Sequence, residues 1–256
     1  MANRGHGKRS SVVGFTNTAS EDSIASFGWP MLNFPTSAGE ESQALEAVRS
    51  ALHAQKEAGC PAAAIVIEPT ASKSGHVVSS EFLSQLHRLG AENDAALIVD
   101  ETSSGCGASG QGFWQYNGPA HYVTFGKRTQ VAGFMAADTE GVPQSMGGSA
   151  MAIRQWEVIK SVVEKENLVD RVAKVGEAMA VNAQSVSSDK ISGIRASGTS
   201  LWIDTDTHQN AQSLRAHLAS QGVLVKANGT RGVMVKPALT LEEHQSGALF
   251  SALSSF

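Results

Sequence analysis

Residues 62–69 read AAAIVIEP, residues 95–101 read AALIVDE, and residues 121–127 read HYVTFGK. The first two are continuous apolar runs, which are typical of strands buried on both faces of a sheet, and the last stretch predicts a third strand. Apolar residues at helical spacing occupy residues 40–58 and 82–90, and each of these segments closes at a glycine. Strands that alternate with helices predict an α/β fold built on a parallel-rich sheet.

The second part of the chain has a different pattern. A long helical stretch covers residues 149–186, with a predicted break near Asn167. After Gly193 we predict a strand at 201–203, a helix at 211–220, strands at 223–225 and 233–235, and a final helix from about Leu241. We therefore predict a large, incomplete α/β domain over residues 1–163 and a smaller α+β domain over residues 164–256.

Composition argues against several classes of function. A net charge of −4 and a pI near 6.1 do not suit a nucleic-acid surface. Cys60 and Cys106 lie far apart, which favours a reducing compartment over a disulfide framework. The histidines show no metal-ligand spacing, no apolar run approaches the ~18 residues of a membrane helix, and the N-terminus lacks the apolar segment of a secretory signal.

Charged residues follow the predicted strands at Glu68, Asp100 and Lys127. In parallel sheets, ligands bind beyond the carboxyl ends of the strands. A lysine there can form an imine when its amine loses its proton, and a carboxylate can hold a protonated ring nitrogen, as in pyridoxal 5′-phosphate (PLP) enzymes. A solvated surface lysine and a helix-capping aspartate remain open as alternatives.

Residues 105–110 read GCGASG and match the G-x-G-x-x-G pattern of dinucleotide-binding loops. That site requires a helix that starts directly from the loop, whereas the aromatic pair Phe113 and Trp114 follows here without a helical pattern. The sequence favours a flexible loop bordering a pocket, and a nicotinamide oxidoreductase is the weaker alternative.

Several motifs occur in order and at the spacing of a known family. They are HGKRS at 6–10, SFGWP at 26–30, IEP at 67–69, LIVDE at 97–101, TFGK at 124–127, GF at 133–134 and KPAL at 236–239. Nearly the whole chain resembles the class III, fold-type-I PLP aminotransferases, with most likeness to eukaryotic 4-aminobutyrate aminotransferases.

The resemblance implies a cofactor and residue roles. Lys127 would hold PLP as a Schiff base and move the proton between substrate and cofactor, and Asp100 would keep the pyridine nitrogen protonated. Ser103 stands where the family has a glutamine near the cofactor oxygen. Ser145 stands where the family has a threonine that reaches the cofactor phosphate of the partner subunit, which implies a homodimer.

The same resemblance exposes departures. The chain begins about where the middle of a family member would be, so the family's phosphate-binding loop has no counterpart. Lys8 replaces the arginine that binds the substrate carboxylate, and Gly5 replaces a ring-stacking aromatic. Lys73 and Met234 replace the two partners of a family ion pair, which removes both charges together.

We therefore expect a transaminase that moves an amino group from 4-aminobutyrate or a similar ω-amino acid to a 2-oxo acid, with activity that is weak or redirected to another donor. The alternative is a truncated, catalytically impaired paralogue that binds PLP or a partner subunit without efficient turnover. We expect an intracellular location, either mitochondrial matrix or cytoplasm, although no presequence is visible.

Overall fold

The computed structural model describes residues 29–138 and 149–256. The chain forms two compact units: the first takes the chain up to Ser104 together with Tyr116–Ile159, and the second takes Gly105–Gln115 and Lys160–Phe256. The division into domains at residues 1–163 and 164–256 stays a proposal. A segment that sequence assigns to the first domain, Gly105–Gln115, belongs to the second unit.

The first unit is built on a four-stranded sheet. Its elements are α1 (Glu41–Glu57), β1 (Ala64–Ile67), α2 (Ser80–Ala91), β2 (Ala96–Asp100), β3 (Tyr122–Phe125) and β4 (Gly133–Ala136). The strand order is β1-β2-β3-β4, in which β1, β2 and β3 are parallel and β4 is antiparallel to β3. The α/β fold with a parallel-rich sheet is thereby confirmed. The antiparallel β4 was not predicted, because its four residues carry no alternating pattern.

The helices of this unit cover one face of the sheet. In α2 the side chains of Phe82, Leu83, Leu86 and Leu89 are buried, and they join the buried residues of α1 and the strands in one apolar core. In β2, Leu97 and Val99 are fully buried, while Ala96 and Ile98, which alternate with them, are half-buried. Within the described residues, therefore, the apolar part of β2 is fully buried on one face and half-buried on the other, so the predicted burial of both faces was too strong.

The second unit is an α+β arrangement around a second sheet. It contains α4 (Leu168–Ser185), β5 (Ile191–Ser197), β6 (Ser200–Thr205), α5 (His208–Ser220), β7 (Lys226–Ala227), β8 (Gly232–Val235) and α6 (Glu243–Ser254), and α3 (Ala150–Lys165) runs into it from the first unit. The strand order is β5-β6-β8-β7, all antiparallel. No helix in the described ranges 29–138 and 149–256 is both long and apolar enough to cross a membrane.

Three details of the second unit test the sequence predictions. Asn167 adopts a left-handed conformation, with φ +49°, between α3 and α4, which confirms the predicted break. The strand predicted at 223–225 is wrong: Leu224 is 87% exposed there, and the chain pairs only at β7. The strand β5 was missed because Gly193 and a register shift beside it interrupt the apolar pattern.

The glycine-rich segment is buried rather than flexible. Residues Ser104 to Ser109 are all buried, and no helix opens from the loop. A Cβ atom on Gly110 would lie 2.7 Å from the Cα atom of Ala173 in α4, and one on Gly198 would collide with the carbonyl oxygen of Ala108. The glycines therefore serve close backbone packing inside the second unit, which removes the basis for the dinucleotide-binding alternative.

Candidate active site

Two charged residues lie at the carboxyl ends of adjacent parallel strands. Asp100 is the last residue of β2 and pairs with Thr124 of β3. Lys127 follows three positions after Thr124, just beyond the end of β3. The parallel pairing of β2 and β3 thus brings an acid and an amine to the same edge of the sheet, where α/β proteins bind ligands.

The backbone around Lys127 is unusual. Gly126 is buried and extended, and Lys127 then adopts a left-handed conformation with φ +58° at the start of a short 3₁₀ turn, Lys127–Thr129. The Thr129 hydroxyl donates to the carbonyl oxygen of Val131 at 2.6 Å and closes the turn. Left-handed conformations cost energy in residues with a side chain, so a lysine held there points to a functional constraint.

Each of the two charged residues is hydrogen-bonded to the loop that follows β2. The Lys127 ammonium group donates to the hydroxyl of Ser103. Asp100 is 4% exposed, and its Oδ1 atom accepts from the backbone N–H of Thr102 at 2.9 Å. Because these partners are consecutive, the carboxylate of Asp100 and the Nζ atom of Lys127 are no more than about 12 Å apart.

A buried glutamate fixes that loop. The Glu101 carboxylate accepts from the Ser104 hydroxyl at 2.5 Å and from the backbone N–H of Tyr116 at 2.8 Å. The Glu101 N–H also donates to the carbonyl oxygen of Thr124 at 2.9 Å, which continues the β2–β3 pairing past Asp100. Sequence reasoning missed this role of Glu101, although an acidic residue directly after Asp100 at a strand end was a visible signal.

Aromatic packing also supports the end of β3. The rings of Phe125 and Trp156 lie 5.0 Å apart between centroids. Gly133, opposite Phe125 in β4, leaves room for that ring, because a Cβ atom there would lie 2.7 Å from the Cζ atom of Phe125. The strand that leads to Lys127 is therefore held by side-chain packing as well as by backbone pairing.

The structure brings Lys127, Ser103 and Asp100 together. Lys8 and Ser145 lie outside the described residues. Met234 lies in β8 of the second unit, opposite Trp202. Among the described residues there is no cluster of acids, histidines or cysteines that could hold a metal ion.

The residues at the sheet edge fit a pyridine aldehyde such as PLP. The buried carboxylate of Asp100 can accept a hydrogen bond from a protonated ring nitrogen. The amine of Lys127 can react with an aldehyde carbon, and the hydroxyl of Ser103, already in contact with that amine, can donate to a ring oxygen. All three groups sit on one rigid loop or on a strand end, as a cofactor site requires.

The fold and the site define a class of protein that comparison with known families identifies. Residues 6–256 match the sequence model of the class-III aminotransferases, so the chain belongs to that family, whose members depend on PLP. This confirms the family resemblance and the cofactor.

Two groups of relatives are similar to the chain to about the same degree. It is 28% identical to the L-lysine-epsilon aminotransferase of Streptomyces clavuligerus, over 98% of this chain and 61% of that protein. It is 26% identical to the mitochondrial 4-aminobutyrate aminotransferase of Mus musculus, over 90% of this chain and 51% of that protein. The chain thus spans between half and two thirds of the length of these relatives.

Solved structures agree with the fold. The lysine aminotransferase of M. tuberculosis superposes with a TM-score of 0.86 at 24% identity, over 99% of this chain and 64% of that one. The Arthrobacter phospholyase gives a TM-score of 0.85 at 18% identity.

Proposed function

We propose that this protein transfers amino groups between an amino acid and a 2-oxo acid with PLP as cofactor. The observation that carries the proposal is the joint placement of Lys127 and Asp100 at the ends of neighbouring parallel strands, with their partners Ser103 and Thr102 adjacent in sequence. Membership in the class-III aminotransferases supports the same reaction.

When bound, the cofactor supplies an electron sink for the carbanion that forms when an amino acid loses its α- or ω-carbon proton. Lys127 would hold the cofactor covalently through its Nζ atom. Once substrate displaces it, the same nitrogen would take and return that proton. Asp100 would hold a proton on the ring nitrogen, and its burial strengthens this contact. Ser103 would orient the Lys127 amine through its hydroxyl.

The partner subunit and the substrate carboxylate concern residues outside the described ranges. We propose a homodimer in which Ser145 binds the cofactor phosphate of the partner, and we propose that Lys8 binds a substrate carboxylate, that of the 2-oxo acid. Lysine keeps the charge of the family's arginine but offers a point contact in place of a two-pronged one. Substrate binding at Lys8 would therefore be weaker than in the family.

For the amino donor we propose 4-aminobutyrate or a similar ω-amino acid. Similarity to 4-aminobutyrate aminotransferases supports this donor, and similarity to L-lysine-epsilon aminotransferases supports a donor with a terminal amine in general. Both groups act on an amine at the far end of a short chain. The alternative is a chain that binds PLP without efficient turnover, which the replaced residues Lys73 and Met234 favour.

Borohydride reduction tests the proposal. The protein is incubated with PLP, reduced with borohydride, digested, and analysed by mass spectrometry for a pyridoxyl label. We expect the label on the peptide that contains Lys127 and a new absorbance band before reduction. A Lys127→Arg variant should lose both, whereas Lys56→Arg, at an exposed position of α1, should retain both.

Absence of pyridoxyl label from wild-type protein would refute the cofactor role of Lys127. A turnover assay with 4-aminobutyrate and 2-oxoglutarate then distinguishes an active transaminase from a chain that binds PLP without efficient turnover. Label with turnover supports the transaminase. Label without turnover supports the alternative of a cofactor-binding paralogue.

A further inference from the structure

The chain leaves β1 in a closed turn, residues 69–78. The backbone N–H of Val78 donates to the carbonyl oxygen of Pro69 at 3.0 Å, and that of Ala71 donates to His76 at 2.8 Å. Thr70 and Val77 form an antiparallel bridge between these two bonds. The turn is thus a small, defined hairpin, and its tip carries Lys73.

The hairpin starts from the sheet edge that carries the proposed active site. Because β1, β2 and β3 are parallel neighbours, their carboxyl ends lie side by side. With strands about 4.8 Å apart, the ends of β1 and β3 are about 10 Å from each other. A ligand attached at Lys127, beyond β3, and extending across the end of β2 therefore approaches the hairpin beyond β1.

The surroundings of Lys73 suit a cation that binds an anion. Its side chain is half-buried, and burial lowers the pKa of its amine below the usual lysine value, while the nearby carboxylate of Glu68 offsets part of that shift. Glu68 is fully buried, and its Oε2 atom accepts from the backbone N–H of Ser72 at 3.0 Å. An ammonium group partly removed from water attracts a carboxylate more strongly than one in bulk solvent does.

We propose that Lys73 binds the distal carboxylate of the amino donor and so determines which ω-amino acids the site accepts. This inference rests on the proposed function and deepens it. The reacting amine of the donor lies at Lys127, and the opposite end of the donor reaches the hairpin tip after crossing the end of β2.

The charge of the distal end then decides between donors. The distal end of 4-aminobutyrate carries a carboxylate alone, which Lys73 attracts. When L-lysine reacts through its side-chain amine, its distal end carries both a carboxylate and an ammonium group, so attraction and repulsion at Lys73 largely offset each other. A simple diamine presents only the repelled group. The site should therefore prefer donors whose distal end is anionic.

The test compares three variants with the wild-type protein. Lys73→Met removes the charge and keeps most of the length, Lys73→Arg keeps the charge, and Lys56→Met is a control at an exposed position of α1. Binding of glutarate, a dicarboxylate without an amine, is measured by calorimetry on PLP-loaded protein. The ratio of kcat/KM for 4-aminobutyrate to that for L-lysine is measured in the same preparations.

We expect Lys73→Met to weaken glutarate binding and to lower the substrate ratio, each by about tenfold, the effect of losing one partly desolvated ion pair. Lys73→Arg should stay close to wild type, and Lys56→Met should change neither quantity. If Lys73→Met does not fold, Lys73→Gln takes its place with the same expectation.

Unchanged glutarate binding in Lys73→Met would overturn the inference. An equal loss of activity with both donors, together with a lower unfolding midpoint, would also overturn it, because Lys73 would then serve only to neutralise Glu68. Pyridoxyl labelling of Lys127 in the same protein reports on the proposed function independently. If Lys127 carries the pyridoxyl label but Lys73→Met has no effect, only the inference about Lys73 is rejected. If Lys127 carries no label, both this inference and the proposed function are rejected.

Discussion

At the scale of single residues, the proposed site depends on a carboxylate that is buried and accepts a backbone hydrogen bond. Asp100 is almost completely shielded from solvent, and the N–H of Thr102 donates to it. A carboxylate has several acceptor positions, and a charge-assisted contact from a cationic ring nitrogen is stronger than one from a neutral donor. Its burial in a site of low polarity would strengthen its contact with a cationic ring nitrogen, as the proposed role of cofactor counter-ion requires.

Asp100→Asn should weaken PLP binding and reduce transamination by about a hundredfold or more, because an amide cannot hold the ring nitrogen in its protonated form. The amide nearly preserves the shape of the side chain, so the unfolding midpoint should change little. PLP titration followed by absorbance, together with a turnover assay, measures both effects. Asp189→Asn, at an exposed position, is the control, and equal PLP affinity in the two variants would contradict the role of Asp100.

The residues of the site could be predicted only in part. The placement of Asp100 and Lys127 at one sheet edge was predictable because Asp100 ends β2, Lys127 follows β3, and parallel strands bring their ends together. The Glu101 contacts with Ser104 and Tyr116 were not predictable, since the second of these partners lies fifteen positions away across an irregular loop. Loop geometry of that kind follows from tertiary packing, which has no period in the sequence.

At the scale of elements, β2 and β3 are joined at their amino ends by a side chain as well as by backbone groups. The Nδ1 atom of His121 accepts from the N–H of Leu97 at 2.9 Å, and the N–H of His121 donates to the carbonyl oxygen of Leu97 at 3.1 Å. The ring of His121 stacks on that of His87 in α2, with 4.7 Å between centroids. The pair therefore links α2 to the β2–β3 junction.

This junction should make stability depend on pH. Burial, and secondly the charge of His121, lower the pKa of His87. A pKa that is lower in the folded than in the unfolded protein gives stability that is present above the ordinary histidine value of 6.5 and is lost as the pH falls below it. Urea unfolding at pH 7.5 and pH 5.5 should show a smaller unfolding free energy at pH 5.5.

The His87→Gln variant should lose part of that pH dependence, whereas His53→Gln, at an exposed position of α1, should keep it. Parallel slopes of stability against pH for wild type and His87→Gln would contradict the prediction.

Predictions of helices and strands were correct where the local sequence pattern agrees with the packing, and wrong where the two conflict. The helix α2 was predicted because its apolar residues recur at three- and four-residue intervals and all of them are buried. The strand predicted at 223–225 failed because β-branched and apolar residues favour a strand locally, while in the described part of the chain the pairing with β8 begins only at Lys226. Strand identity depends on a partner, which a single sequence does not specify.

At the scale of the whole molecule, the chain passes between its two units more than once. Gly105–Gln115 belongs to the second unit, while the residues on both sides of it belong to the first. The close approach of Gly110 to Ala173 is one of the contacts that hold this segment in the second unit. Composition gives no sign of this arrangement, because the segment lies inside the sequence of the first unit.

Gly110→Ala should therefore destabilise the protein by about 3 kcal/mol, through both backbone strain and collision with the backbone of α4. Gly222→Ala is a matched control, because Gly222 has a similar φ of +78° but no atom within 4 Å of the added Cβ atom. The control should cost only about 1 kcal/mol, from strain alone. Urea unfolding curves measure both values, and equal losses in the two variants would show that the close packing at Gly110 contributes nothing.

Because the two units alternate along the chain, they cannot be separated by a single cut in the sequence. A cut after Ile159 leaves the segment Gly105–Gln115 on the amino-terminal fragment, separated from the α4 residues against which its glycines pack. The amino-terminal fragment would hold the whole first unit, whereas residues 160–256 would lack part of the second, so adding the amino-terminal fragment should restore structure that residues 160–256 do not form alone. A chimera that takes the second unit from a relative would need to replace both Gly105–Gln115 and residues 160–256.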